Sequence, residues 1–186
     1  MEKIQTRAYH GTTRSSAENI LRTKKFHEST KETEWLGHGT YFFQYKAHAI
    51  RWADYEARKD RNVGQSPKVI AVDLAYSDDQ VLDLDDPEDL SALDRFVREA
   101  LSSIPDNFCA NLEVDRKKKM CFSCNLFRKV HENIGITFYT FPRSFRNAEP
   151  NYCFQENQRQ ICVNNQDIIL WETFELLEYE RGISND

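Results

Sequence analysis

Gly37-His38-Gly39-Thr40-Tyr41-Phe42-Phe43, downstream of Tyr9-His10-Gly11-Thr12, decides the reading of this chain. Each stretch joins an apolar strand to a glycine turn. Glycine permits positive φ and lets a flat ligand approach the backbone. One strand then offers an imidazole and the other a phenol ring. Such a pair suits a planar, hydrogen-bonding ligand of the nicotinamide riboside kind. Beyond them, Tyr45-Lys46-Ala47-His48-Ala49-Ile50-Arg51-Trp52-Ala53 is helical in character, and Trp52 stands eleven residues after Tyr41.

Working outward, the 186 residues suit one domain with a sizeable core. A composition of 40% hydrophobic and 12% aromatic residues argues for a globular chain rather than a disordered one. No apolar run is long enough to span a membrane, and Met1-Glu2-Lys3-Ile4-Gln5 lacks the apolar core of a signal peptide. Five cysteines, an odd number, fit a reduced compartment better than a disulfide framework, so the expected location is cytoplasmic. The net charge of −5 is unevenly spread. Residues 1–66 carry 12 Lys+Arg against 8 Asp+Glu, and residues 67–115 carry 3 against 13. The glycine-turn strands therefore lie in basic sequence, which suits a pyrophosphate or a nucleic acid.

The periodicities predict strands over 7–10, 41–43, 69–74, 81–84, 136–141, 152–154, 160–163 and 168–177. They predict helices over 15–23, capped by Ser15 or Ser16, and over 47–59. Two more follow, from Pro87 to about 103 with Asp85 or Asp86 as cap, and over 112–132, ending at Asn133-Ile134-Gly135. This order gives an α+β fold: a mostly antiparallel split sheet with a cleft and a helical insertion over 85–134 that decorates the core. Cys121 and Cys124 have the spacing of half a metal knuckle, but no second pair accompanies them. They share a helix face with Phe127, so core packing is expected, and no metal is expected.

Together, His10-Gly11, Gly37-His38-Gly39-Thr40-Tyr41-Phe42 and Trp52 resemble the ADP-ribosyltransferase superfamily, in the branch of diphtheria-type toxins and poly(ADP-ribose) polymerases. The close match covers roughly residues 8–53. The resemblance implies a mono-ADP-ribosyltransferase of the glycosyltransferase class, with NAD as substrate and a macromolecular acceptor, nucleic acid or protein. It further implies that His10 holds the ribose hydroxyl, that the Gly11 backbone binds the carboxamide, and that Tyr41 stacks on the nicotinamide. The resemblance also implies Trp52 as the second stacking face, with Thr12 and Thr13 adding hydrogen bonds to the ribose or phosphates. A chain of this size suits a toxin or phage-defence effector with an antitoxin or regulatory partner.

The family's third element is a Glu opening a late strand. Here Gln160-Ile161-Cys162-Val163 puts Gln160 at that place, with Glu156 four residues upstream. A glutamine hydrogen-bonds a hydroxyl but lacks the charge that stabilises an oxocarbenium-like transition state. Single-unit transfer is therefore expected rather than chain synthesis, with either Gln160 or Glu156 as the third residue. Two alternatives stand beside this one: a silent NAD or ADP-ribose binder of the same fold, and an unrelated α+β interaction module. Arg143, Arg146 and Arg159 are candidates to clamp a pyrophosphate.

Overall fold

The stretch Pro67–Tyr76, PKVIAVDLAY, is apolar on both alternating faces, the pattern of a strand covered on two sides. A computed structural model, which describes residues 3–102, 115–142 and 157–178, places it second from one edge of a seven-stranded sheet. The strands are β1 (Ile4–Thr13), β2 (Thr40–Phe43), β3 (Pro67–Tyr76), β4 (Val81–Asp83), β5 (Ile136–Pro142), β6 (Asn157–Val163) and β7 (Ile169–Leu177). The helices are α1 (Arg14–Thr23), α2 (Lys46–Ala57), α3 (Pro87–Ser102) and α4 (Arg116–Val130). The sheet order is β4-β5-β6-β2-β1-β3-β7, and β4–β5 is the parallel pair.

The sheet is two half-sheets joined by little. β1 runs against β3 from Ile4↔Tyr76 to Thr13↔Pro67, and β2 runs against β6 from Thr40↔Val163 to Phe43↔Gln160. Between β1 and β2 the register holds at Tyr9↔Phe43 alone. His10 to Thr13 stay on β3 while Thr40 to Phe42 stay on β6, so the two main chains part there.

Alternation along the strands builds the two faces. On the first, Ala8, Phe42, Ile70, Val72, Leu74, Phe138, Ile161 and Val163 form the main core, with Ala17 and Ile20 of α1 packed on it. The second face carries two separate clusters. Leu36, Leu82, Leu84 and Cys162 meet Leu93 and Val97 of α3 and Cys124 and Phe127 of α4. Phe43 and Val69 meet Ala49 and Ala53 of α2.

The expected elements form, with instructive differences. β1 extends three residues beyond the predicted strand at each end, because its full length is laddered to β3. Thr13, not Ser15 or Ser16, occupies the N-cap position of α1, where its hydroxyl donates to Ser16 Oγ at 3.1 Å rather than accepting a helix N–H. Asp86 does cap α3, accepting the Glu88 N–H at 2.7 Å. α4 ends at Val130, and Gly135 instead donates its N–H to the Gln80 carbonyl at 2.9 Å, binding β5 to the turn before β4. The helices of the predicted insertion are not decoration, since they supply half of one core cluster. The strand expected over 152–154 lies outside the described residues.

Candidate active site at the junction of the half-sheets

The imidazole of His10 spans the place where β1 and β2 part. Its Nδ1 lies 2.8 Å from the Tyr41 carbonyl oxygen. A carbonyl only accepts, so Nδ1 carries the proton and Nε2 of the neutral ring is left as an acceptor. Phe26 and Phe42 meet the ring edge to face at 5.2 and 5.6 Å. Burial against these rings pulls the His10 pKa below its ordinary value, against the opposing effects of the Tyr41 carbonyl and Glu56. His10 is thus a neutral, oriented hydrogen-bond acceptor near pH 7.

Phe26 reaches this position through Gln166. The Gln166 side chain accepts the Phe26 N–H and donates to its carbonyl, both at 3.0 Å, as a strand neighbour would. Phe26 then stacks on Trp171 at 5.3 Å and meets Phe42 at 5.0 Å. No local pattern marks Gln166 for this work, because its partner is 140 positions away.

Tyr41 points to the opposite face from His10, into the cluster under α3 and α4. Its hydroxyl donates to the Gly37 carbonyl at 2.7 Å and accepts the Leu36 N–H at 3.0 Å. Burial raises the phenol pKa far above its usual range, so it stays protonated. The phenol therefore pins the glycine turn, with its ring packed against the cluster under α3 and α4.

That turn is held from its other side by α4. Asn125 Oδ1 accepts the His38 N–H at 2.8 Å. The buried Arg128 donates from Nη2 to the His38 carbonyl at 3.0 Å and to Asn125 Oδ1 at 2.7 Å, and its Nη1 lies 3.7 Å from Cys162 Sγ. Gly37 has φ +84°, and a Cβ there would stand 2.3 Å from Arg128 Nη2. The sequence reading passed over Arg128. The available signal was a charge on the helix face that buries Cys121, Cys124 and Phe127. These cysteines pack as free thiols, and burial pushes Cys124 up to about 12. Among the described residues no group of His, Cys, Asp and Glu is arranged to hold a metal ion.

Gly11 serves the contact between β1 and α2. A Cβ there would lie 2.1 Å from the Ala49 carbonyl oxygen and 2.9 Å from the Ala53 nitrogen. Thr12 is buried beside it. Two N–H groups in the first turn of α1 are engaged from the loop before β3, Arg14 with the Ser66 carbonyl at 2.8 Å and Ser15 with the Gln65 side chain at 3.1 Å.

Gln160 pairs with Phe43 on β2 and Tyr139 on β5, so it shares a face with Tyr41. Trp52 stands on α2, on the far side of Phe43 at 6.3 Å, and is 44% exposed. The fold thus brings His10 to the Tyr41 main chain, and Gln160 to the Tyr41 face, while Trp52 stands half-exposed on α2 beside Phe43. Glu156, Arg143 and Arg146 lie outside the described residues. Arg159 is engaged elsewhere, 2.5 Å from Asp83 and 3.5 Å from Asp85, with its guanidinium over Phe138 at 4.9 Å. It borders a cavity of about 430 Å³ with Thr6, Gln44 and Tyr76, at the end of β2. A second cavity, of about 250 Å³, lies between α2 and Gln158 of β6.

An uncharacterized protein of Methanocaldococcus jannaschii is 30% identical over 84 residues, a span of 45% of this chain and 39% of the archaeal one. The match thus covers about two-fifths of the length of that relative. No protein-family model matches the chain. No solved structure matches it. Among the described residues, no helix is long and apolar enough to cross a membrane.

Proposed function

We propose that this chain is an NAD-dependent mono-ADP-ribosyltransferase, with the split between the half-sheets as its NAD cleft. One observation carries the reading: His10 is fixed through Nδ1 to the Tyr41 carbonyl across the place where β1 and β2 part. The two glycine-turn strands are therefore joined through the imidazole, whose neutral ring keeps Nε2 as an acceptor. Nε2 accepts a ribose hydroxyl. The parted main chain at Gly11 offers a peptide group to a carboxamide, as the resemblance implies.

Transfer breaks the bond between ribose C1′ and the nicotinamide nitrogen, and nicotinamide departs with the electron pair. The acceptor nucleophile then bonds to C1′ and gives up its proton to a base. The gain comes from orienting the two ends and stabilising positive charge at the ribose. Gln160, between Phe43 and Tyr139, orients a hydroxyl but supplies no charge. Glu156 is the carboxylate nearest to it upstream in sequence. A second reading, a binder that holds NAD without turnover, draws its support from the same glutamine.

The test is nicotinamide release from labelled NAD, followed by transfer of label to cell-extract fractions, for wild type, His10→Ala, Gln160→Ala and Glu156→Ala. Release lost with His10→Ala is expected, and the other two variants assign the third residue. NAD binding without release selects the silent binder. No NAD binding refutes both readings.

A further inference from the structure

We propose that the outward stripe of α2 is a stacking surface for single-stranded nucleic acid, the acceptor class that the transferase reading leaves open. As an acceptor site it rests on that reading, whereas the binding itself does not.

His48, Trp52 and Tyr55 follow one another along α2 at steps of four and three, and the flanking Tyr45 and Lys59 extend the row, Tyr45 meeting the His48 ring at 5.8 Å and Lys59 standing over Trp52 and Tyr55. Helical aromatics at this spacing ordinarily face a core. Here Tyr45 is 58%, Trp52 44% and Tyr55 56% exposed, His48 between them is buried, and Ala49 and Ala53 make the close contact with the sheet. Trp52 and Tyr55 lie 5.6 Å apart at 44°, and Phe43 supports Trp52 from the sheet at 6.3 Å. The Lys59 ammonium stands 4.6 Å from the Tyr55 ring centre and 5.6 Å from that of Trp52. Gln158 of β6 faces the pair across the cavity of about 250 Å³, also lined by His48 and Arg51. Its amide both donates and accepts, as the edge of a nucleobase requires.

Charge fits the same ligand. Over 45–61 the cations Lys46, Arg51, Arg58, Lys59 and Arg61 outnumber Asp54, Glu56 and Asp60 by two. Glu56 is itself paired with Lys59 and with Arg61, the latter at 3.0 Å. A partner helix would want aliphatic side chains to interdigitate, and the stripe contains none. Flat rings with polar edges, flanked by cations, are what sequence-tolerant binding of unpaired bases uses.

The experiment is fluorescence anisotropy of fluorescein-labelled single-stranded RNA and DNA oligonucleotides, in the absence of NAD. Saturable binding that weakens with added KCl is expected. Trp52→Ala and Tyr55→Ala should each weaken it by roughly ten-fold or more. Both side chains are exposed, so unchanged thermal melting will certify that the variants are folded. The proposal is overturned if neither oligonucleotide binds, or if neither variant changes the affinity. A second titration adds saturating NAD to the formed complex, and displacement of the oligonucleotide, which would make the stripe a dinucleotide site, equally overturns the proposal. A chain that binds oligonucleotide but releases no nicotinamide would keep this inference and lose the transferase.

Discussion

Gly11→Ala isolates the contact that seats α2 on β1, and its cost follows from the geometry. The new Cβ would lie 2.1 Å from the Ala49 oxygen and 2.9 Å from the Ala53 nitrogen, where carbon–oxygen contacts settle at about 3.3 Å or more. Both obstacles are main-chain atoms, so no rotamer change relieves them, and trimming Ala49 or Ala53 to glycine would not rescue the variant. α2 has to retreat by about 1 Å, loosening Ala49, Ala53, Phe43 and Val69, all buried. Overpacking costs about 1–3 kcal/mol, and a rigid obstacle puts this site near the top of that range. The lost backbone freedom of glycine in the unfolded chain returns about 0.4–1 kcal/mol. The net loss is about 2 kcal/mol, a fall in Tm of roughly 4–8 °C for a chain of this size. Thermal melts followed by circular dichroism at 222 nm measure it. Gly64→Ala is the control, with φ +82° and nothing within 4 Å of its Cβ, so its cost is backbone strain of about 1–2 kcal/mol without any clash. A Gly11→Ala Tm within about 2 °C of wild type would refute the argument that close packing, and not only ligand access, requires glycine here.

Three further outcomes are expected. Arg128→Lys should lower stability by about 1–3 kcal/mol in urea titrations, since a single ammonium cannot reach the His38 carbonyl, Asn125 and Cys162 together. An unchanged midpoint would mean that the fork does not hold the turn. Tyr41→Phe keeps the ring but orphans the Leu36 N–H and the Gly37 carbonyl, a loss of about 1–2 kcal/mol by the same titration. The depressed His10 pKa makes stability depend on pH. The unfolded chain binds the proton first as pH falls below about 6.5, so the His10 contribution is full above that value. It is lost progressively as pH falls to the lower folded pKa, below which no more is lost. His10→Gln should flatten the decline of the urea midpoint between pH 7 and pH 5, and an unaltered slope would assign the decline to other groups.

Local chemistry made much of the fold legible. Pro87 after Asp86 marks a helix start in any context, and the alternation in 69–74 marks a strand, because caps and pleats act over a few residues. Positive φ at Gly37 follows from a turn that only glycine enters freely. The burial of Cys121, Cys124 and Phe127 follows from their shared helix face. So the sequence by itself determined the element order, the glycine turns and the residue types at the junction.

Tertiary structure decided the rest. It placed His10 and the Tyr41 ring on opposite faces, because register between β1 and β2 is set at Tyr9↔Phe43 by packing across the sheet. It turned the predicted insertion into the wall that holds the glycine turn, through Asn125 and Arg128 at a separation of about ninety positions. It gave Arg159 to Asp83 and Asp85, and so away from a pyrophosphate. Trp52 is left half-exposed on the flank of α2, because Ala49 and Ala53 take the close contact with Gly11. Each of these depends on which distant backbone comes within a few ångströms, and no local pattern encodes that distance.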